Sequence, residues 1–161
     1  STGAGGLDPA VCLSHSPTAL AAAFPTIIAR AAPVLGPKKN LANPGLKKGA
    51  MGSNTGQANA CTGSEGEADC RASLDLVAAA LNLCPGEILP ASTGVIGAQP
   101  KMDPWDKAVP ELVKGLRQFG AEGFEEAIMT TDSFWQIAPT EVELNGRRAA
   151  LSGSGTGPGV M

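Results

Sequence analysis

Tyrosine is absent, histidine occurs once (His15), and aromatic residues make up 4% of the 161 positions. The core must therefore come from Ala, Leu, Val and Ile within the 43% of apolar residues. Net charge is −3 and no run of five like charges occurs. A basic surface interleaved with aromatics is missing, which excludes nucleic acid as a main partner. A lone histidine and four cysteines (Cys12, Cys61, Cys70 and Cys84) without a C-x-x-C spacing give no zinc pattern. The cysteines are expected as small buried hydrophobes in a reducing compartment. A Cys61–His15 nucleophile and base is the alternative, with nothing in the pattern to orient it. No apolar run reaches the about 18 residues of a membrane span. No basic stretch followed by an apolar one marks a secretory signal. Neither membrane, metal nor cofactor is expected.

Glycine (21) and proline (13) are plentiful and spread along the chain, so many turns and close backbone approaches are expected. Lys38, Lys39, Lys47 and Lys48 flank the turn-like Asn43-Pro44-Gly45 and read as a solvated face, with phosphate docking as the alternative. A short strand is expected at 11–14. Residues 19–32 are nearly all apolar, and Thr26-Ile27-Ile28 favours a strand there. Pro33 and Pro37 are expected to break any regular element. Residues 48–52 suit a short buried strand ending in a Gly52-Ser53-Asn54 turn. A helix is predicted over 65–83, with Ser64 as N-cap, Glu67 completing a capping box, and Ala68, Ala72, Leu76, Ala79 and Ala80 as its apolar face. Pro85-Gly86 ends it. Residues 87–91 read as a strand. A second helix covers 104–118, with Pro104 in its first turn, Val109, Leu112, Val113 and Leu116 on its buried side, and Gly120 closing it. A short helix follows at 123–129. Asn145-Gly146 between 141–144 and 148–152 signals a hairpin. The sum is α/β (α+β): a mixed sheet with helices packed over it, without internal repeats.

Chemistry has few places to reside. Ser92-Thr93-Gly94-Val95-Ile96-Gly97 follows a strand. Its glycines permit close backbone approach, and successive N–H groups with the Thr93 hydroxyl suit an oxyanion hole. A plain strand-to-loop turn is the competing reading. The terminal Gly153-Ser154-Gly155-Thr156-Gly157-Pro158-Gly159 matches neither a phosphate-binding nor a dinucleotide-binding motif; it reads as a flexible tail or as a strained loop before a processing site. Thr130-Thr131-Asp132-Ser133 is a helix-capping loop or a patch of hydroxyl donors beside a carboxylate. The asparagines of the 54–63 loop either satisfy buried backbone groups or contact a ligand.

Taken together, these segments resemble the glutamate/ornithine N-acetyltransferase family. Asn54-Thr55-Gly56-Gln57-Ala58-Asn59-Ala60-Cys61-Thr62-Gly63 is similar to its N-S-G-N-A-N-A-C-T-G, and 91–97 to its A-S-T-G-V-I-G. Met102-Asp103 echoes P-M-D. Residues 127–133 are similar to A-I-M-T-T-D-T, and 31–34 to A-A-P-V. The motifs come in the family's order and span nearly the whole chain. The resemblance implies a layered sheet-and-helix sandwich like that of N-terminal-nucleophile hydrolases, in which residues 1–161 are the alpha-chain portion of one self-processed domain. It implies a beta chain from the same precursor whose N-terminal threonine is the nucleophile. That threonine takes acetyl from N-acetylornithine and passes it to glutamate, and some members also accept acetyl-CoA. Thr93 and Gly94 would form the oxyanion hole, and Thr130 or Thr131 would bind substrate. Two alpha and two beta chains would assemble as a heterotetramer, in the cytoplasm of a bacterium or the mitochondrial matrix of a fungus.

The glycine-rich end after a hairpin is expected to need a second chain to close the core. The sequence departs from the family at polar positions. Thr156 and Gln136 stand where lysines are usual, and Ile27 where asparagine is. These losses leave a self-processed amidase or aminopeptidase as one rival, and a non-catalytic binding module as another.

Overall fold

The computed structural model describes residues 8–18, 30–40, 48–117, 121–129 and 137–154. In chain order these form β1 (Asp8–Thr18), α1 (Ala32–Asn40), β2 (Lys48–Gln57), α2 (Gly63–Leu81), a 3-10 turn (Pro85–Glu87), β3 (Ile88–Val95), α3 (Asp103–Lys114), α4 (Ala121–Ile128), β4 (Ile137–Leu144) and β5 (Arg147–Ser154). Strand β2 is the centre of a three-stranded sheet ordered β1-β2-β3. It runs antiparallel to β1 and parallel to β3. Parallel neighbours need a crossover connection, and α2 provides it. Strands β4 and β5 make a separate antiparallel ribbon whose two-residue turn puts Asn145 at φ 53° and Gly146 at φ 74°. That is the backbone the Asn-Gly pair predicts, because both central positions need positive φ.

The core lies between the sheet and the α2–α3 pair. Alternation along the strands sends Ala50 of β2 and Ile88 of β3 to one face, where they meet Val77, Ala78, Trp105 and Val109. Val77 and Ile88 are each 1% exposed; burying a side chain of this size stabilises by roughly 1.5–3 kcal/mol. Trp105 and Val109 sit one turn apart on α3 and so share a face. Helix α4 packs on β1 and β2, and β1 also carries contacts to α3.

Several expectations are corrected. Proline does not break 32–40. Pro33 occupies the first turn of α1, where its missing N–H has no intrahelical role. Strand β2 does not stop at Gly52 but runs to Gln57, with Ser53, Asn54 and Thr55 buried. Helix α2 begins at Gly63, and its N-cap Thr62 makes no side-chain capping bond, so Ser64 and Glu67 form no capping box. Its buried residues are Gly66, Cys70, Val77 and Ala78. Ala68, Ala72, Ala79 and Ala80 are exposed, because alanine on nearly every face blurs the periodicity. The helix ends at Asn82, a left-handed C-cap at φ 54°, ahead of Pro85. Helix α3 closes at Gly115, whose N–H donates to the Glu111 carbonyl at 2.9 Å. Leu112, Val113 and Leu116 are half-buried, and Trp105 takes the core position instead. The apolar segment 19–29, the Asn43-Pro44-Gly45 turn and Gly120 lie outside the described residues.

The cysteines are corrected too. Cys70 is buried, but Cys12, Cys61 and Cys84 are exposed. Burial pushes the Cys70 thiol up to about 11; Arg71 opposes that shift and Glu67 adds to it. Only a thiolate reacts readily. Alkylation at neutral pH is therefore expected to label Cys84 in the folded chain and to reach Cys70 only after denaturation. Peptide mapping of the labelled sites checks this, and rapid modification of Cys70 under native conditions would contradict its burial.

Candidate active site

The C-terminal halves of β2 and β3 run side by side, with Asn54 opposite Ser92, Thr55 opposite Thr93 and Gly56 opposite Gly94. Gly94 has φ 130° and Gly56 φ 110°, conformations that L side chains rarely adopt. A Cβ on Gly94 would lie 2.3 Å from the Gly56 carbonyl carbon, 2.4 Å from its oxygen and 2.8 Å from the Gln57 nitrogen. Glycine is required here because two backbones come into contact.

Beyond the strands the two chains stay joined. The Ala58 N–H donates to the Val95 carbonyl at 3.0 Å, and the Gly97 N–H to that of Ala60 at 2.8 Å. Between them sits a buried asparagine knot. Asn59, 2% exposed and left-handed at φ 46°, donates from Nδ2 to the Gly66 carbonyl at 2.9 Å and accepts at Oδ1 from the Thr62 hydroxyl at 2.6 Å. Gln99 Nε2 in turn donates to the Thr62 carbonyl at 3.0 Å. Asn54 bridges the strands: its Nδ2 donates to the Gln57 carbonyl at 2.9 Å, and its Oδ1 accepts from the Ser92 hydroxyl at 2.6 Å. Of the two roles open to these asparagines, the structure gives them the satisfaction of buried polar groups. Each such bond is worth about 1 kcal/mol net, and its loss costs more where the partner stays buried.

Among the described strands, β3 lies at the edge of the sheet, so alternate backbone groups on it face away from β2. Thr93 is half-buried and Gly94 is exposed. Val95 and Ile96, 62% and 69% exposed, continue the edge as an apolar lip. A strand end with a hydroxyl at Thr93 and no Cβ at Gly94 lets backbone N–H groups approach a carbonyl oxygen closely, as the stabilising of a developing oxyanion requires.

The structure thus places Thr93 and Gly94 together at the end of β3. Thr130, Thr131 and Thr156 lie outside the described residues. Two participants escaped the sequence reading. One is Gly56, the surface against which Gly94 rests. The other is Thr55, whose hydroxyl donates to the Ala127 carbonyl of α4. By alternation Thr55 shares a face with Thr93. The bond therefore ties the C-terminal end of α4 to the strand neighbouring Thr93. Thr55→Val keeps the shape and leaves the Ala127 carbonyl without its donor. A loss of about 1–2 kcal/mol in urea unfolding is expected, and an unchanged midpoint would mean that the bond does not hold α4.

Helices layered on a mixed sheet make this an α/β chain, and the solved structures it resembles make its fold N-terminal-nucleophile-hydrolase-like. The chain belongs to the ArgJ family, whose profile matches residues 3–161. It is 44% identical over 154 residues to the arginine biosynthesis bifunctional protein ArgJ of Nitratidesulfovibrio vulgaris, covering 96% of this chain and 39% of that protein. To the protein of the same name from Geobacter sulfurreducens it is 35% identical over 157 residues, covering 98% and 39%. The chain spans about two fifths of the length of these curated relatives. Among solved structures it is similar to the ArgJ protein of Bacillus halodurans, with TM-score 0.83 and 29% identity over 96% of this chain and 80% of that one. It is also similar to an ornithine acetyltransferase of Mycobacterium tuberculosis solved with ornithine, with TM-score 0.78 and 31% identity over 96% and 81%.

Proposed function

We propose that this chain is the alpha chain of a self-processed glutamate/ornithine N-acetyltransferase, acting with a beta chain from the same precursor. The observation that carries this reading is the Gly94–Gly56 contact, which holds Thr93 and Gly94 at the end of β3 in a chain of the ArgJ family. The attacking hydroxyl is the N-terminal threonine of the beta chain. It adds to the acetyl carbonyl of N-acetylornithine, and the carbonyl oxygen takes up negative charge beside Thr93 and Gly94. Collapse expels ornithine and leaves an acetyl-threonine. The glutamate amine then adds to that ester, the same two residues stabilise the second oxyanion, and N-acetylglutamate leaves. One hole serves both additions because the charge develops at the same place. Acetyl-CoA is an alternative donor, and no resident cofactor takes part.

Thr130 and Thr131 are proposed to bind substrate, with Thr156 at the family's lysine position. The relative solved with ornithine supports an ornithine-shaped donor site. Two alpha and two beta chains form the assembly. Bacterial relatives favour the cytoplasm over a mitochondrial matrix, and no described helix is long and apolar enough to cross a membrane.

The test is expression of the full reading frame followed by intact-mass analysis and a transfer assay. Two polypeptides, the second starting with threonine, and acetyl transfer from N-acetylornithine to glutamate are expected. A single polypeptide, or release of free acetate in place of N-acetylglutamate, would overturn the reading.

A further inference from the structure

On the sheet face opposite Thr55 and Thr93, helices α2 and α3 close over β2 and β3 and leave a small cavity. Its volume of about 10 Å³ is close to the space that one water occupies. Its wall is mostly apolar, and Asn54, Asn59, Asp69, Ser73, Ser92 and Trp105 supply the polar part of it. Trp105 is 4% exposed, and its buried Nε1–H meets no acceptor among the described residues. A buried indole donor ordinarily finds a partner.

The other polar groups are already engaged in ways that select one arrangement. Asn54 and Asn59 each use both ends of their amides, and the Ser73 hydroxyl donates to the Cys70 carbonyl at 2.8 Å. The Ser92 hydroxyl gives its proton to Asn54 but keeps oxygen lone pairs. The Asp69 carboxylate is an acceptor only. Among the lining residues, Trp105 Nε1–H is the donor left for a water, and Ser92 Oγ and Asp69 are the acceptors left for it. That set meets the two to four polar partners a buried water needs.

We propose that this cavity binds a single ordered water joining Trp105 of α3 to Ser92 of β3, and that Trp105 is thereby a positioning residue for the strand end that carries Thr93 and Gly94. Ser92 precedes Thr93 directly and is tied to Asn54 of β2, so the bridge links the helical layer to the register of the two strands. The positioning part rests on the acyl-transfer reading; the water site does not.

The experiment uses the assembled, 15N-labelled protein. The sequence has two tryptophans, Trp105 and Trp135, and Trp105→Phe assigns their indole signals. The Trp105 indole N–H is expected to show a cross-peak to a water that exchanges more slowly than surface hydration. Trp105→Phe, which keeps an aromatic ring in the core, is expected to lower kcat about tenfold with KM nearly unchanged, because a hydrogen bond that orients the hole is lost. Should that variant fail to fold, Asp69→Ala removes an acceptor without touching the apolar core and is expected to lower kcat in the same way. A Trp105 indole with no water cross-peak would overturn the water site. A cross-peak accompanied by wild-type kcat in the variant would overturn the positioning role. Absence of acetyl transfer in the unsubstituted protein would instead sink the acetyltransferase reading and leave the water result intact.

Discussion

Gly94→Ala is expected to destabilise the chain by roughly 3–5 kcal/mol, combining a strained backbone with an overpacked contact. The strain arises because φ 130° must be kept if the strand is to continue into Val95. The overlap arises because the new methyl meets Gly56 carbonyl atoms at 2.3 and 2.4 Å. Those atoms are backbone of the central strand, paired with β3, so they cannot yield as the end of a flexible side chain would. Against a typical total stability of 5–15 kcal/mol, such a loss unfolds a marginal protein. Urea denaturation followed by circular dichroism measures it, and soluble yield reports it crudely. Gly97→Ala is the control. Gly97 also has positive φ, 80°, but a Cβ there meets nothing within 4 Å. Its cost is limited to backbone strain, about 1 kcal/mol. Equal losses at the two positions would mean that φ alone explains both and that the close approach of the strands counts for little.

What was legible in the sequence was what local chemistry decides. Helical spacing placed α2 and α3 within a few residues, and Asn145-Gly146 placed the β4–β5 turn to the residue. Thr93-Gly94 stands out through the family resemblance, since the pattern by itself reads equally as a strand-to-loop turn. The failures share a cause. Residues Gly52–Gln57 are rich in small polar types that locally favour turns, yet they form the end of the central strand. Their satisfaction comes from far away in sequence: Ser92 reaches Asn54 across 38 positions, and Thr55 reaches Ala127 across 72. A window of a dozen residues contains neither partner. The helix start slipped for a related reason. Ser64 and Glu67 have the spacing of a capping box, but the Thr62 hydroxyl is committed to Asn59, and a Cβ on Gly66 would fall 1.9 Å from that hydroxyl oxygen. The Asn59–Thr62–Gly66 knot sets where α2 begins. Trp105 was passed over because one aromatic ahead of an aliphatic stripe carries little periodic weight, although it fills the centre of the core.

Thr93→Val separates the chemistry of this strand end from its packing. Valine keeps the branched shape and the β preference of threonine and removes only the hydroxyl. Thr93 is half-buried on an edge strand, so the fold should tolerate the change, in contrast to Gly94→Ala. If the hydroxyl is aimed at the oxyanion, its loss is felt only as charge develops. A fall in kcat on the order of a hundredfold or more is expected for the assembled protein, with KM for N-acetylornithine little changed, because the ground-state carbonyl carries no full charge to stabilise. Thr93→Ser retains the donor and should stay within a few-fold of wild type. The order Ser well above Val, at equal thermal stability, is the signature of a donor acting in the transition state. Equal activity of Val and Ser variants would place the oxyanion elsewhere and reduce Thr93 to a strand residue. A rise in KM at constant kcat would make its hydroxyl a substrate contact instead. The Gly94 backbone would then carry the hole alone, so that further weakening by way of Trp105 should show in kcat even where Thr93 substitutions do not.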